Sequence, residues 1–235
     1  EDAMMISRIS KRGQKVVLKL NMDGKFVEDR WSRNIIAELK GSTYPEEIIV
    51  VGGHIDSWDV GQGAHDDAGG CVAAWRAVTL IKELGLKPRR TIRIVLWTNE
   101  ENGGKGNENY KNEHLSELNN HILAIESDGG VFAPQGFGFT GSEKARDYIL
   151  DIASLLDPIG AGTITNWGRA ADVAPLNDNG VPVMSLNVDN SKYFWYHHTN
   201  ADTFDKIDFR EFNNCIAAMA IMSYVVSDME KKLPR

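Results

Sequence analysis

Six residues spread along 235 positions are of the types from which a metal centre is built: His54, Asp66, Glu100, Glu101, Asp128 and His198. Together they offer two imidazoles and four carboxylates. Four carboxylates in one pocket repel one another and drive their proton affinities up, unless cations sit among them. A mixed nitrogen and oxygen donor set suits zinc. The chemistry expected of such a set is hydrolysis by a water activated at two metal ions.

Each residue also has a plainer reading. In His54-Ile55-Asp56 the first and third side chains of an extended segment share a face, so the Asp56 carboxylate can accept from the His54 ring nitrogen that is not on metal. A surface histidine beside an acid gives the same pattern. In GQGAHDDAGG (61–70), Asp66 and Asp67 stand where a glycine-flanked turn enters a helix. N-capping explains one of them; a carboxylate bridging two metals is the functional alternative for Asp66. In TNEENGG (98–104), one glutamate can bind metal while its neighbour serves as a general base, or both decorate a solvated loop. Asp128 in ESDGG is a metal ligand or an Asx turn, and His198 in HHTNADT is a ligand or part of a polar loop.

The elements that must position these residues alternate between strand and helix. Strands are expected at 16–22, 33–42, 48–56, 91–98, 121–127 and 181–188, with a turn at 43–46. Helices are expected at 2–12, at 71–85 ending on Gly85, over the polar stretch 105–119, at 142–157 with Ser142 as N-cap, and at about 208–230. Strands alternating with helices imply an α/β fold with a mostly parallel sheet covered on both faces. Ligands of such sheets bind beyond the carboxyl ends of the strands. His54, Glu100, Glu101 and Asp128 each follow a strand-like run and obey that rule.

Composition narrows the function classes. An apolar content of 42% supports a buried core, and a net charge of −7 argues against nucleic acid as the main partner. No apolar run approaches the ~20 residues that cross a bilayer. The opening EDAMMISRIS is no signal peptide, and no N-x-[ST] sequon occurs, so composition does not read out a compartment. Cys71 and Cys215 lie in apolar helical patterns and read as buried free thiols.

In order, H-x-D, G-x-x-D-D-x-G-G, E-E, S-D and H-T-x-x-D-T resemble the co-catalytic zinc exopeptidases, a family that includes bacterial leucyl aminopeptidases and glutamate carboxypeptidases. The stretches GGHIDSWDVGQGA, LIKELGLKPRRTIRIVLWT, FTGSEKAR, NGVPVMSL and SYVVSDMEKKLP narrow the likeness to one branch of its glutamate carboxypeptidases, from about residue 3 to 235.

The resemblance implies a three-layer α/β/α sandwich with a mixed, mostly parallel central sheet, of the phosphorylase/hydrolase-like type. It implies two zinc ions, one held by His54 and Asp128, the other by Glu101 and His198, with Asp66 between them. Glu100 would be the base and proton shuttle, Asp56 would orient His54, and His65 and His197 would be bystanders. Residues 1–30 would be the tail of an N-terminal, protease-associated insert and 31–235 the catalytic domain. Around 166–180, where relatives contact substrate, Arg169 would suit a substrate carboxylate and Asp172 a free amine. The implied substrates are small peptides, the implied assembly a homodimer, and the implied location secreted or lysosomal. A single-zinc acyltransferase of the glutaminyl cyclase type and a non-catalytic ectodomain on the same fold are the alternatives. Metal stoichiometry separates the first, and loss of metal ligands would mark the second.

Overall fold

The computed structural model describes residues 2–235, which divide into two compact units, one up to Trp31 and one from Ser32 to Arg235. The first unit holds helix α1 (Asp2–Lys11), with Asp2 in its first turn and Arg8 and Lys11 towards its end, each charge favoured by the helix dipole there. Gly13, at φ +77°, closes it. The strand expected at 16–22 is absent: residues 14–31 carry no helix or strand. Val17, Leu18, Leu20 and Met22 are all exposed, on both alternation faces, so no side of the run is held against a core or a ladder.

The second unit is built in chain order from β1 (Ile35–Leu39), β2 (Tyr44–His54), α2 (Gly69–Glu83), β3 (Arg90–Trp97), α3 (Lys105–Glu113), β4 (His121–Glu126), β5 (Pro134–Thr140), α4 (Glu143–Ala153), β6 (Thr163–Thr165), α5 (Ala174–Asn177), β7 (Val183–Val188), α6 (Tyr193–Tyr196) and α7 (Phe209–Asp228). The strands form one sheet in the order β1-β3-β2-β4-β7-β5-β6. β3, β2, β4 and β7 run parallel, as do β5 and β6, whereas β1 on β3 and β5 on β7 are antiparallel.

Period-two alternation sends neighbouring residues of each strand to opposite faces. Ile49, Val51, Ile92, Ile94, Leu123 and Ile125 pack with Ala74, Ala77 and Ile81 of α2, Ile149 of α4, and Met219 and Met222 of α7. Ile48, Val50, Val95, Trp97, Ala124 and Val183 face the other way, onto Tyr110 of α3 and Leu176 of α5. The result is the three-layer sandwich with a mixed, mostly parallel sheet that the sequence led us to expect.

The element boundaries follow local chemistry. Ser142 caps α4 by accepting from the Ala145 N–H at 3.1 Å, and Asp208 caps α7 through the N–H groups of Arg210 and Glu211. Gly85, at φ +71°, ends the turn after α2. Three expectations shift. The turn at 43–46 falls largely inside β2, and β1 pairs with β3 rather than β2. The stretch 105–119 breaks at His114 into α3 and a 3₁₀ turn (Leu115–Asn120), which buries Leu118 in the second core. Strands β5 and β6 were not expected. PQGFGFT reads as a loop because of its Pro and Gly, yet Phe137 and Phe139 alternate into the core, and a Cβ on Gly138 would overlap the Trp167 carbonyl.

The parallel strands β3, β2, β4 and β7 end on one side of the sheet. His54 is the last residue of β2, Glu100 and Glu101 follow β3, Asp128 follows β4, and the segment after β7 leads through α6 to His198.

Candidate metal centre

Two carboxylate–imidazole groups meet at that edge and share Asp66. In the first, His54 Nε2 lies 3.1 Å from Asp66 Oδ1 and 3.2 Å from Asp128 Oδ1. In the second, His198 Nε2 lies 3.2 Å from Asp66 Oδ2 and 2.9 Å from Glu101 Oε2. The two oxygens of one buried carboxylate thus face opposite ways. All five residues expected to be ligands are brought together, and Glu100 joins them with Oε2 4.0 Å from His54 Nε2.

The protonation pattern around His54 shows what the cluster needs. His54 Nδ1 is 2.8 Å from the Asp56 carbonyl oxygen, which can only accept, so Nδ1 carries the hydrogen. In the neutral ring Nε2 is then a lone pair pointed at two carboxylate oxygens. A positive charge must lie between them, either a proton or a metal ion. Burial pulls the imidazole's proton affinity down, but the hydrogen-bonding carboxylates of Asp128 and Asp66, with Asp67 nearby, push it far above the ordinary histidine range. Burial raises Glu100, with His54 opposing and Asp128, Glu101 and Asp66 adding to the rise. Burial and the Asp66 charge raise Glu101, against His198 and the Trp58 hydrogen bond. Asp66 Oδ2 and Glu101 Oε1 are buried and accept no hydrogen bond. Acceptor atoms without donors, converging with two imidazoles, fit a divalent cation, and the donor types fit zinc.

The supporting contacts differ in part from expectation. The Asp56 carboxylate lies 3.9 Å from His54 Nδ1, and its backbone carbonyl makes the closer contact with the ring. The carboxylate instead accepts from the backbone N–H groups of Glu100 (3.1 Å) and Glu101 (3.3 Å), fixing the turn that splays the two glutamates. Asn99, at φ +67°, makes that turn. Asp67 supplies the helix-entry bond, accepting from Gly70 N–H at 3.1 Å, and its other oxygen accepts from His54 N–H at 3.0 Å. Trp58 Nε1 donates to Glu101 Oε2 at 2.7 Å. Asp202 accepts from the N–H groups of His65 and Asp66. Asp67 stands in the G-x-x-D-D-x-G-G pattern and Asp202 in the H-T-x-x-D-T pattern, whereas Trp58 had no role suggested by its residue type. A small open depression borders the site, lined by Trp58, Gly61, Gly63, Asp66, His198, Thr199 and Asp202.

The remaining histidines separate. His65 is buried, stacked on Phe132 at 4.2 Å, and burial lowers its proton affinity. His197 is nearer the centre than expected: its ring stacks on His198 at 3.6 Å and its Nε2 is 3.5 Å from Asp66 Oδ2. The two residues expected to contact substrate have these surroundings. Asp172 is 1% exposed and accepts from Asn107 Nδ2, so it faces the interior, where burial pushes it up to about 8. Arg169 directs its guanidinium to Asp178 at 2.9 Å. Cys71 and Cys215 are buried free thiols, as expected. Among the described residues no helix is long and apolar enough to cross a membrane.

The profile described as Peptidase family M28 matches residues 34–223. Carboxypeptidase Q of Homo sapiens is 47% identical over 235 residues, all of this chain and 50% of that protein. The crystal structure of a peptidase M28 precursor from Shewanella amazonensis SB2B superposes with a TM-score of 0.91 at 37% identity, covering 100% of this chain and 53% of that one. A zinc aminopeptidase from Bacillus subtilis shares the fold, with a TM-score of 0.63 at 19% identity over 86% of this chain and 53% of that one. The chain spans about half the length of the curated relatives it matches.

Proposed function

The chain belongs to peptidase family M28, and on that premise we propose that it forms the catalytic part of a zinc-dependent exopeptidase acting on dipeptides or the terminal residues of small peptides. The observation that carries this reading is the divided Asp66 carboxylate, one oxygen facing His54 and Asp128, the other His198. A single-metal enzyme needs one such set; here there are two with a common member, which favours two zinc ions per chain. The name carboxypeptidase Q among the relatives agrees with a terminal-residue hydrolase.

Zinc, when bound, supplies Lewis acidity that polarises the scissile carbonyl and acidifies water. The protein's own groups do the rest. His54, Asp66, Asp128, Glu101 and His198 hold the ions. Glu100 stands at hydrogen-bonding distance from none of the imidazoles and keeps a free carboxylate; it takes the proton of the attacking water and passes it to the leaving amine nitrogen. Asp56 keeps Glu100 and Glu101 apart, so that one remains a base while the other is a ligand. A homodimer and a secretory or lysosomal location, implied by resemblance, join the proposal and are read by sedimentation and cell fractionation.

The test is a dipeptide-library assay on the full-length protein, with zinc counted before and after chelation. Two zinc ions per chain and chelator-sensitive hydrolysis are expected. One zinc with cyclisation of N-terminal glutamine, or no zinc and no hydrolysis, sinks the reading.

A further inference from the structure

Asp202 belongs to no ligand group, yet its carboxylate is 3% exposed and fully occupied by backbone donors of the neighbouring loop. Oδ1 accepts from His65 N–H at 2.7 Å and Oδ2 from Asp66 N–H at 3.1 Å. Its carbonyl accepts from Gln62 N–H at 2.8 Å, and the Gln62 side chain accepts in return from Phe204 N–H at 2.8 Å. Four hydrogen bonds at Asp202 and Gln62 therefore join the loop that carries Asp66 to the loop that carries His198, and a longer one, His65 Nε2 to the Lys206 carbonyl at 3.4 Å, joins them further along. Gly61 lets them approach: a Cβ there would lie 2.7 Å from the Thr199 carbonyl oxygen and 3.0 Å from that of Asp202.

We propose that Asp202 is a positioning residue that sets the spacing between Asp66 and His198, and so selectively determines zinc affinity at the position shared by Asp66, Glu101 and His198. The selectivity follows from how each group is held. His54 ends β2 and Asp128 follows β4, so the sheet ladder sets their separation. Asp67 pins the Asp66 loop to His54 N–H independently of Asp202. His198 has no such support from the sheet; it lies at φ +57° in a loop whose shorter hydrogen bonds to the Asp66 side pass through Asp202 and Gln62, the 3.4 Å contact of His65 Nε2 with the Lys206 carbonyl lying eight residues beyond His198. A carboxylate can accept from both N–H groups at once. An amide of the same shape accepts from one and turns its own N–H towards the other.

This inference rests on the two-zinc reading above, and the experiment separates their failures. Zinc is titrated against graded chelator in full-length wild type, D202N, G61A and, as an exposed control on the same loop, D205N, with circular dichroism as the check on fold. Wild type and D205N are expected to bind two ions alike. D202N and G61A are expected to keep one ion at wild-type affinity and to bind the second roughly 10–100-fold more weakly, the usual effect of removing a group that orients ligands. Fewer than two ions in wild type overturns the two-zinc reading. Two ions in wild type with unchanged affinity in D202N, equal weakening of both, or a D202N that loses its fold overturns the role assigned to Asp202.

Discussion

Two of the places where the sheet buries polar side chains are finished differently. Near the amino end of β4, Arg93 donates to the Tyr110 hydroxyl at 3.0 Å and to Glu38 at 2.7 Å. Tyr110 Oη and His121 Nε2 are 2.9 Å apart, and His121 Nδ1 meets the Glu117 carbonyl at 3.1 Å. That order settles every proton: Arg93 gives to Tyr110, Tyr110 to His121, and His121 to the backbone. At the carboxyl ends of the strands, acceptors outnumber donors and Asp66 Oδ2 and Glu101 Oε1 accept from none. A closed network contributes to stability alone. An open one, rich in negative charge and reached by solvent, is completed by something from outside, and that marks the functional place.

Changes at the two places should therefore have opposite signatures. The largest effect belongs to Glu100→Gln. Removing a general base costs about 10²–10⁴ in turnover, and since Glu100 is not in the ligand set, zinc content should stay at the wild-type value. Wild-type-like kcat in the metal-loaded variant would remove Glu100 from the mechanism. Chelation comes next. Stripping zinc leaves the carboxylates unbalanced, and thermal unfolding should move to lower temperature by the equivalent of about 3 kcal/mol where free zinc had stood ~100-fold above Kd. An unchanged midpoint would mean that the open network is as self-sufficient as the closed one.

The smallest effect lies at the closed network. Burial lowers the His121 pKa from 6.5 to about 4, with the Glu117 carbonyl contact opposing. Below pH 6.5 the unfolded chain takes up a proton that the folded chain refuses, so stability falls as pH drops from 6.5 towards 4. At pH 5.5 the loss from this group is about 1 kcal/mol. Denaturant midpoints of wild type and His121→Gln between pH 7.5 and 5 should show a shallower slope in the variant. Parallel slopes would mean that His121 is not held neutral.

Much of this site could be read along the chain because ligands must be particular residue types at strand ends, and strand ends are marked by apolar runs giving way to Gly, Asn and Asp. His54, Glu100, Glu101 and Asp128 stand out that way, whereas Asp66, in a turn before a helix, and His198, in a polar loop, stand out by residue type and by the resemblance to a family. Where the reading failed, local pattern and tertiary partner disagreed. VVLKLNM has the composition of a strand and no ladder; PQGFGFT has the composition of a loop and lies between β7 and β6.

Residue types and spacing determined the α/β class and the layered sheet and picked out the candidate ligands, whose grouping the family resemblance implied, because periodicity and donor chemistry are properties of short segments. Only the folded chain decided how the groups face one another: that Asp66 divides its oxygens between two imidazoles, that the Asp56 carboxylate holds the glutamate turn and not the histidine ring, and that Asp202 joins two loops 136 and 137 positions apart in sequence. Hydrogen bonds act over about 3 Å and are directional. Which atoms come within that range is set by strand order and register, and no segment carries that information alone.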